Sequence, residues 1–300
     1  MVILIAGGSG FLGQKLARHL EGEGHRAVTL SRRGGRAEPS SSVISWQPDG
    51  SPGDLPRHLE GADAVVNLAG EGLADERWTA ARKEAIRRSR ILATRTLVRA
   101  IAACAQPPRV FVSGSAIGYY GPRGDETITE TDSPGSDFLA TICVEWEEEA
   151  RAAATPATRL VLIRTGLALA RDGGALAKML LPFKLGLGAT MGSGDQYMPW
   201  IHGDDWTSMV TWSIQNERAA GALNVTAPEP VTNRTFTRTL GRVLKRPAVF
   251  HAPSIVLQAA MGEMSAMLLT GQRVLPARAE QLGFRFTHRS LESALRSLNL

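Results

Sequence analysis

The sequence predicts an α/β protein, a doubly wound parallel sheet carrying a smaller, mostly helical C-terminal lobe. Three observations carry that prediction. Apolar runs of strand length alternate with stretches of helical periodicity as far as Arg164, and such alternation implies parallel pairing with right-handed crossovers. A glycine-rich turn follows the first run directly. After Arg164 the alternation gives way to scattered glycines and then to helical segments.

The predicted strands are Val2 to Ala6, Ala27 to Leu30, Ala64 to Leu68, Val110 to Val112 and Leu160 to Ile163. Between them, Leu12, Leu16 and Leu20 share one helix face, and Ile91, Thr94, Leu97, Val98 and Ile101 share another. The stretch from Gly166 to Trp200 contains Gly173, Gly174, Gly186, Gly188, Gly192 and Gly194, which suggests loops and close backbone approach more than regular structure. Asp204-Asp205 read as the start of a helix through Gln215 with an Asp as N-cap, and Ala222 to Thr226 as a further strand closed by Pro228 and Pro230. Helices are expected over Thr235 to Leu244, Ile255 to Leu269 and from Leu291. The expected organisation is a nucleotide-binding body over 1–165 with a return segment near 200–227, and a second lobe from 166–199 and 228–300.

At 300 residues the chain can bury about 75% of its unfolded surface without disulfides or metals. Cys104 and Cys143 form no Cys-x-x-Cys pattern, which disfavours a zinc site or disulfide framework and suits a reducing cytoplasm. The chain enters an apolar strand at Val2 without a basic leader, and no apolar run reaches the length of about 18 that a span needs, so neither secretion nor a membrane partner is expected. The net charge of +5 invites a nucleic-acid reading, but Arg82-Lys83, Arg87-Arg88 and Arg90 fall on a helical pattern with no interleaved aromatics, and are read as a solvated helix face. His202 beside Asp204-Asp205 is read as a helix entry and Met261, Met264 and Met267 as core, so no metal is expected.

The glycine turn reads Gly7-Gly8-Ser9-Gly10-Phe11-Leu12-Gly13, between an apolar strand and an amphipathic helix. Glycines there let the backbone approach a pyrophosphate, while the unpaired amides and dipole of the helix start favour the anion. That context predicts a Rossmann dinucleotide site containing Gly7, Ser9, Gly10, Phe11, Leu12 and Gly13. The second strand ends in Leu30-Ser31-Arg32-Arg33, with Arg36 beyond and no carboxylate. An acidic residue at this place binds the adenosine ribose of NAD, whereas Arg32 can fork onto the extra phosphate of NADP with Ser31 adding a hydroxyl. NADP is therefore the expected cofactor.

On these motifs the chain resembles the extended and atypical short-chain dehydrogenase/reductase superfamily, which includes sugar-nucleotide epimerases. The resemblance continues through Asn67-Leu68-Ala69-Gly70, through Ser113-Gly114-Ser115-Ala116-Ile117-Gly118-Tyr119-Tyr120-Gly121, and through Trp200-Ile201-His202-Gly203-Asp204-Asp205. Leu181-Pro182-Phe183-Lys184-Leu185-Gly186-Leu187-Gly188, Gly192-Ser193-Gly194, Gly271-Gln272-Arg273-Val274-Leu275-Pro276 and Leu282-Gly283-Phe284 are similar to an NADP-binding "epimerase family" branch with its own C-terminal domain of unknown function. The resemblance implies that Leu68, Ala69 and Gly70 line the adenine and ribose. It also implies that Ser115 and Tyr120 touch substrate or nicotinamide, and that Arg90 stands where the superfamily has an asparagine near the active site. Working members carry a Tyr and a Lys four residues apart on a helix after the serine strand. Here Tyr119, Tyr120 and Tyr197 are followed at that spacing by Arg123, Gly124 and Ile201, and Leu139 and Cys143 fall at the expected places. Two functions stay open: an NADP-dependent oxidoreductase or epimerase-like enzyme acting on an unknown small molecule, and a cofactor-binding protein without turnover. The oligomeric state is open too, a homodimer included.

Overall fold

The structure, a computed structural model, describes residues 1–32 and 43–300, so Arg33 and Arg36 lie outside the described residues. A seven-stranded sheet organises the chain. In sequence order its strands are β1 (Val2–Ala6), β2 (Arg26–Ser31), β3 (Val43–Ser45), β4 (Ala64–Asn67), β5 (Val110–Ala116), β6 (Arg159–Thr165) and β7 (Gly221–Val225). Their spatial order is β7-β6-β5-β4-β1-β2-β3, and every pairing is parallel. The order reverses between β1 and β4, and at such a switch point the loops after neighbouring strands part to leave a crevice. This is the Rossmann arrangement. The strand β3 has no counterpart in the sequence prediction, because only three residues pair there.

The sheet is apolar on both faces, as a fully covered parallel sheet must be. One face carries Ile3, Ile5, Val66, Val112, Val161 and Ile163 under α1 (Phe11–Gly22) and a later helix; the other carries Leu4, Val28, Val65 and Phe111. The first helix buries Leu16 and Leu20, one turn apart. A short α2 (Pro56–Leu59) leads into β4. The long α3 (Ala80–Ala102) starts at Thr79, whose hydroxyl accepts from the Arg82 amide, and it buries all five residues of its predicted face. Asp137 caps α4 (Phe138–Arg151) in the same way, through the Ala140 amide.

Beyond β6 the outcome departs from the sequence reading in three places. The glycine-rich stretch holds a regular helix, α5 (Gly174–Lys184), which buries Leu176, Leu180 and Phe183 and tolerates Pro182 near its end. Glycines at both of its ends hide it in the composition. The next helix, α6 (Gly203–Gln215), is capped by His202 and not by an Asp: the His202 Nδ1 accepts from the Asp204 amide at 3.1 Å. The long helix expected over Ile255 to Leu269 breaks at Gly262, where φ is 61°. Its first part is α8 (Ser254–Met261), preceded by α7 (Asn233–Leu244). Of the three methionines read as core, Met264 is buried but Met267 is exposed.

Phe11 is the first residue of α1, and its ring packs against the Gly173-Gly174 turn that opens α5, where an added Cβ at Gly173 would overlap it. A separate apolar cluster of Leu176, Leu180, Phe183, Trp200, Phe236 and Leu240 fills the space between α5 and α7. Short parallel pairings tie later segments back to earlier ones: Trp200–His202 to Leu167–Leu169, and Arg273–Val274 to Thr127–Ile128.

His202 shows how tightly the α6 start is held. It is buried, its Nε2 faces the Ser297 hydroxyl at 3.3 Å, and its ring centroid lies 4.0 Å from that of His288. Burial, with His288 adding to it, pushes the imidazole down to about 4. An unfolded histidine titrates near 6.5, so between pH 6.5 and about 4 the unfolded chain takes up a proton that the native chain refuses. Native stability therefore falls with pH through that window, by up to about 3 kcal/mol from this residue. We expect His202→Asn, which can still cap α6, to be less stable at neutral pH yet to lose distinctly less over the window than the parent. Urea midpoints across the range check this, and parallel curves would refute it.

Candidate nucleotide and reaction site

The crevice at the switch point is a cleft of about 360 Å³. Gly7, Ser9 and Gly10 line it, with Ser31 and Arg32 from the end of β2 and Leu68, Ala69 and Gly70 from the end of β4. Trp46, Pro48, Glu71, Arg88, Ser89 and Leu92 complete its walls, and the sequence reading missed these. Ser89 and Leu92 are three apart on α3, a spacing that puts both on one helix face, but nothing local marks that face as facing a ligand.

The turn has the shape a diphosphate needs. Gly7 has φ 78°, and a Cβ there would lie 2.7 Å from the Leu68 backbone. Gly13 is buried against Gly7 and Gly8, which brings α1 onto β1. At Gly10 only the Gly7 carbonyl stands near, at 3.2 Å, so a side chain there would point into open cleft. Unlike α3 and α4, α1 starts without a side-chain cap, leaving its first-turn amides for an anion. The side chains of Phe11 and Leu12 pack on the core side and do not line the cleft. Arg32 is 69% exposed at the rim, its guanidinium 3.8 Å from Glu71, which also pairs with Arg82 at 3.1 Å.

The basic cluster of α3 is only in part the solvated face expected, with Arg88 open to solvent, Arg87 partly so, and Arg82 and Arg90 turned inward. Arg82 folds inward onto Glu71 and the Gly72 carbonyl, Lys83 pairs with Glu263, and Arg87 with Glu145. Arg90 is largely buried behind Gly70, donating to the Ile86 carbonyl at 3.0 Å with its guanidinium 5.3 Å from the Trp146 ring centre. Burial holds it below the usual arginine range. Only Arg88 of this group is exposed along the cleft.

At the other end of the crevice the polar groups turn inward. Ser115 is buried and donates to Glu147 Oε1 at 2.7 Å. Glu147, wholly buried on α4, receives the Arg164 guanidinium through both carboxylate oxygens, at 2.7 and 2.9 Å. Arg164 also donates to the Tyr120 hydroxyl at 2.9 Å, and that hydroxyl donates to Asn224 at 2.7 Å. Tyr120 is fully buried, and burial pushes its phenol up to about 12 against the pull of Arg164. The expectation that Tyr120 touches substrate is thereby corrected: four residues past the end of β5, on a short 3₁₀ turn, its side chain is buried and bonded to Arg164 of β6 and Asn224 of β7. Tyr119 is the half-buried neighbour, with the Arg164 guanidinium 3.5 Å from its ring centre. Leu139 and Cys143 stand where α4 passes Gly118, since a Cβ on that glycine would lie 3.3 Å from Leu139 and 3.9 Å from the Cys143 sulfur. Burial pushes the Cys143 thiol up to about 12, so it is no nucleophile at neutral pH. Nothing in Glu145-Trp146-Glu147-Glu148-Glu149 singles out the middle acid as the buried one; only its partner Arg164, ending an apolar strand, carried a signal.

His202, Asp204 and His288 bring ligand-type atoms within 4.8 Å of one another. His202 spends both ring nitrogens on the helix start and Ser297, and Lys15 holds Asp204 at 2.8 Å, so this group is a helix anchor.

A sheet with its crevice at the switch point, a side-chain-free turn and an uncapped helix start define a dinucleotide-binding Rossmann protein. Residues 3–226 match the profile of the NAD dependent epimerase/dehydratase family, and residues 252–298 that of a domain of unknown function, DUF1731. An epimerase family protein of Mycobacterium tuberculosis is 40% identical over 295 residues, 98% of this chain and 96% of that protein. The human epimerase family protein SDR39U1 is 38% identical over 303 residues, 99% of each. The crystal structure of human SDR39U1 (isoform 2) with NADPH superposes with a TM-score of 0.92 at 36% identity, covering 99% of both chains. This chain belongs to the NAD dependent epimerase/dehydratase family, within its group of SDR39U1-like epimerase family proteins.

The buried pair generates a stability prediction. Neutralising one partner strands the other charge, at a cost of about 3–5 kcal/mol, whereas replacing both by apolar groups of similar volume is often neutral. We expect Glu147→Gln to lose stability on that scale and Glu147→Leu/Arg164→Met to recover most of it. Urea unfolding of the three proteins decides; a double variant as unstable as the single would show that the ions are needed for packing.

Proposed function

We propose that this chain binds NADP(H) in the crevice and acts as an oxidoreductase on a small molecule without the phenol and ammonium pair of its superfamily. The observation that carries the cofactor choice is Arg32, placed at the end of β2 on the rim of the cleft with no carboxylate on that strand end. The residues present suit the group, since the space at Gly10 is the space a Cβ would fill. On this reading the uncapped amides at Phe11, Leu12 and Gly13 hold the diphosphate, Arg32 and Ser31 take the ribose phosphate, and Leu68, Ala69 and Gly70 border the ribose. Arg90 supports that border from behind Gly70. The human relative solved with NADPH supports the same reading.

Bound NADPH supplies a hydride. The chain's part at the reacting end is to shape the site, because its hydroxyls are committed inward. Ser115 donates its hydroxyl hydrogen bond to Glu147 and so faces a substrate hydroxyl as an acceptor, which positions a substrate but does not deprotonate it. With Leu139 and Cys143 beside Gly118, the proton for a reduced carbonyl comes from water. Standard sugar-nucleotide epimerisation is therefore absent or very weak, since losing a positioned acid/base forfeits about 10²- to 10⁴-fold in rate. The inward commitment of both hydroxyls equally favours a second reading, a protein that holds NADP(H) without turnover.

Two measurements test this. Titration of both nucleotides should show NADP(H) bound more tightly than NAD(H), and Arg32→Ala should weaken NADP(H) about 10- to 100-fold with little effect on NAD(H), the range of one charge-assisted hydrogen bond; equal affinities would end the assignment. Purified protein should not epimerise UDP- or dTDP-sugars, while NADPH oxidation with a panel of small carbonyl compounds separates the enzyme reading from the holding one. Robust epimerisation would overturn the proposal.

A further inference from the structure

Two neighbouring turns in the C-terminal half expose apolar side chains that the core does not use. The first follows α5: Leu185 is 66% exposed, Gly186 turns the chain at φ 76°, and Leu187 is exposed beyond it. The second follows α7: Lys245 adopts a left-handed φ of 53°, Arg246-Pro247 come next, and then Val249 and Phe250 are 80% and 51% exposed. The two turns lie side by side. A Cβ on Gly186 would be 3.5 Å from the Pro247 ring, the Phe250 amide donates to the Gly188 carbonyl at 3.3 Å, and Phe250–Ala252 pairs in parallel with Ala189–Met191. Leu185, Leu187, Val249 and Phe250 therefore form one apolar tip.

Charge completes the picture. Lys184, Lys245 and Arg246 flank the tip, all exposed, and none makes an ion pair among the described residues. Neither contributing segment offers them a carboxylate, since no Asp or Glu occurs from Gly173 to Gly194 or from Val231 to Gly262. Elsewhere on this protein cations are often answered by nearby carboxylates, as Arg95 is by Glu149 and Arg296 by Glu292. Apolar tips ringed by uncompensated Lys and Arg match an anionic bilayer interface, where the tips enter the headgroup boundary and the cations meet the phosphates. A second copy of the chain suits the face poorly, because a two-fold contact would set the three cations against their own copies. The absence of a spanning helix bears only on crossing a membrane, not on resting against one.

We propose that this tip docks the protein on the surface of an anionic lipid bilayer. The full-length chain is sedimented with vesicles of phosphatidylglycerol and phosphatidylcholine in equal parts, and with pure phosphatidylcholine. Binding to the first and not the second, weakening with added salt, is expected. Lys245→Ala/Arg246→Ala should lower partitioning about 30-fold, given the roughly fivefold that one cation contributes near such a surface. Removing two remote arginines, Arg109→Ala/Arg218→Ala, should change it far less, and Leu187→Ser/Phe250→Ser should abolish it while leaving the thermal midpoint intact, because both side chains already face solvent. Three outcomes would overturn the proposal: no sedimentation with the anionic vesicles, equal loss from the remote pair, or a dimer in analytical ultracentrifugation that Leu187→Ser/Phe250→Ser dissolves, which would make the face a contact between copies.

Discussion

The serine-strand end of the crevice depends on one buried ion pair, Glu147 with Arg164. Two ions taken out of water cost several kcal/mol each unless their hydrogen-bonding capacity is filled, and here it is filled with unusual completeness. Glu147 accepts twice from Arg164, once from Ser115 and once from Arg151; the third guanidinium nitrogen of Arg164 donates to Tyr120 and the Glu130 carbonyl. The pair sets α4 against β5 and β6 at one height, and so decides which side chains of α4 pass the end of the serine strand. The web then runs outward. Tyr120 reaches Asn224 on β7, Asn224 donates to the Leu275 carbonyl, and the Glu130 carboxylate takes the amides of Asn224 and Arg278. The last segment of the chain is thus fastened to the sheet by polar bonds that begin at Glu147.

The two ends of the crevice obey different physics. At the nucleotide end the glycine turn is bare backbone and the helix start is left uncapped, an arrangement that costs stability unless an anion arrives to use it. At the other end Ser115, Glu147, Arg164 and Tyr120 are bonded to one another and to Asn224, and Leu139 and Cys143 stand beside Gly118. The two ends are built on separate elements, the first on the turn between β1 and α1 and the second on β5 and α4.

What was legible in the sequence follows the same division. Apolar runs of strand length and a glycine turn are local signals, and they located β1, β2, β4 to β7 and the cleft residues Gly7, Ser9, Gly10, Ser31 and Arg32, while Leu68 to Gly70 came from the family resemblance. The failures are cases where a distant partner decides. Composition made the Gly166 to Trp200 stretch look irregular, but α5 forms because Leu176, Leu180 and Phe183 find α7. His202 displaced Asp204 as the cap of α6 because a buried start favours a neutral acceptor, with Asp204 drawn off to Lys15. Arg82 and Arg90 looked like surface on helical period and became interior once the loop after β4 folded over them. Tyr120 was read from its motif, but its hydroxyl bonds Arg164 and Asn224 in the interior, and those partners are distant in the sequence.

The contact between Phe11 and Gly173 has a further consequence. An aromatic ring at the first position of α1 leaves no room for a side chain at Gly173 and little at Gly174, far along the chain. The two sites therefore constitute a single heritable choice of size. A lineage that enlarges one must first shrink the other, so the phosphate turn and the start of α5 are bound to drift together.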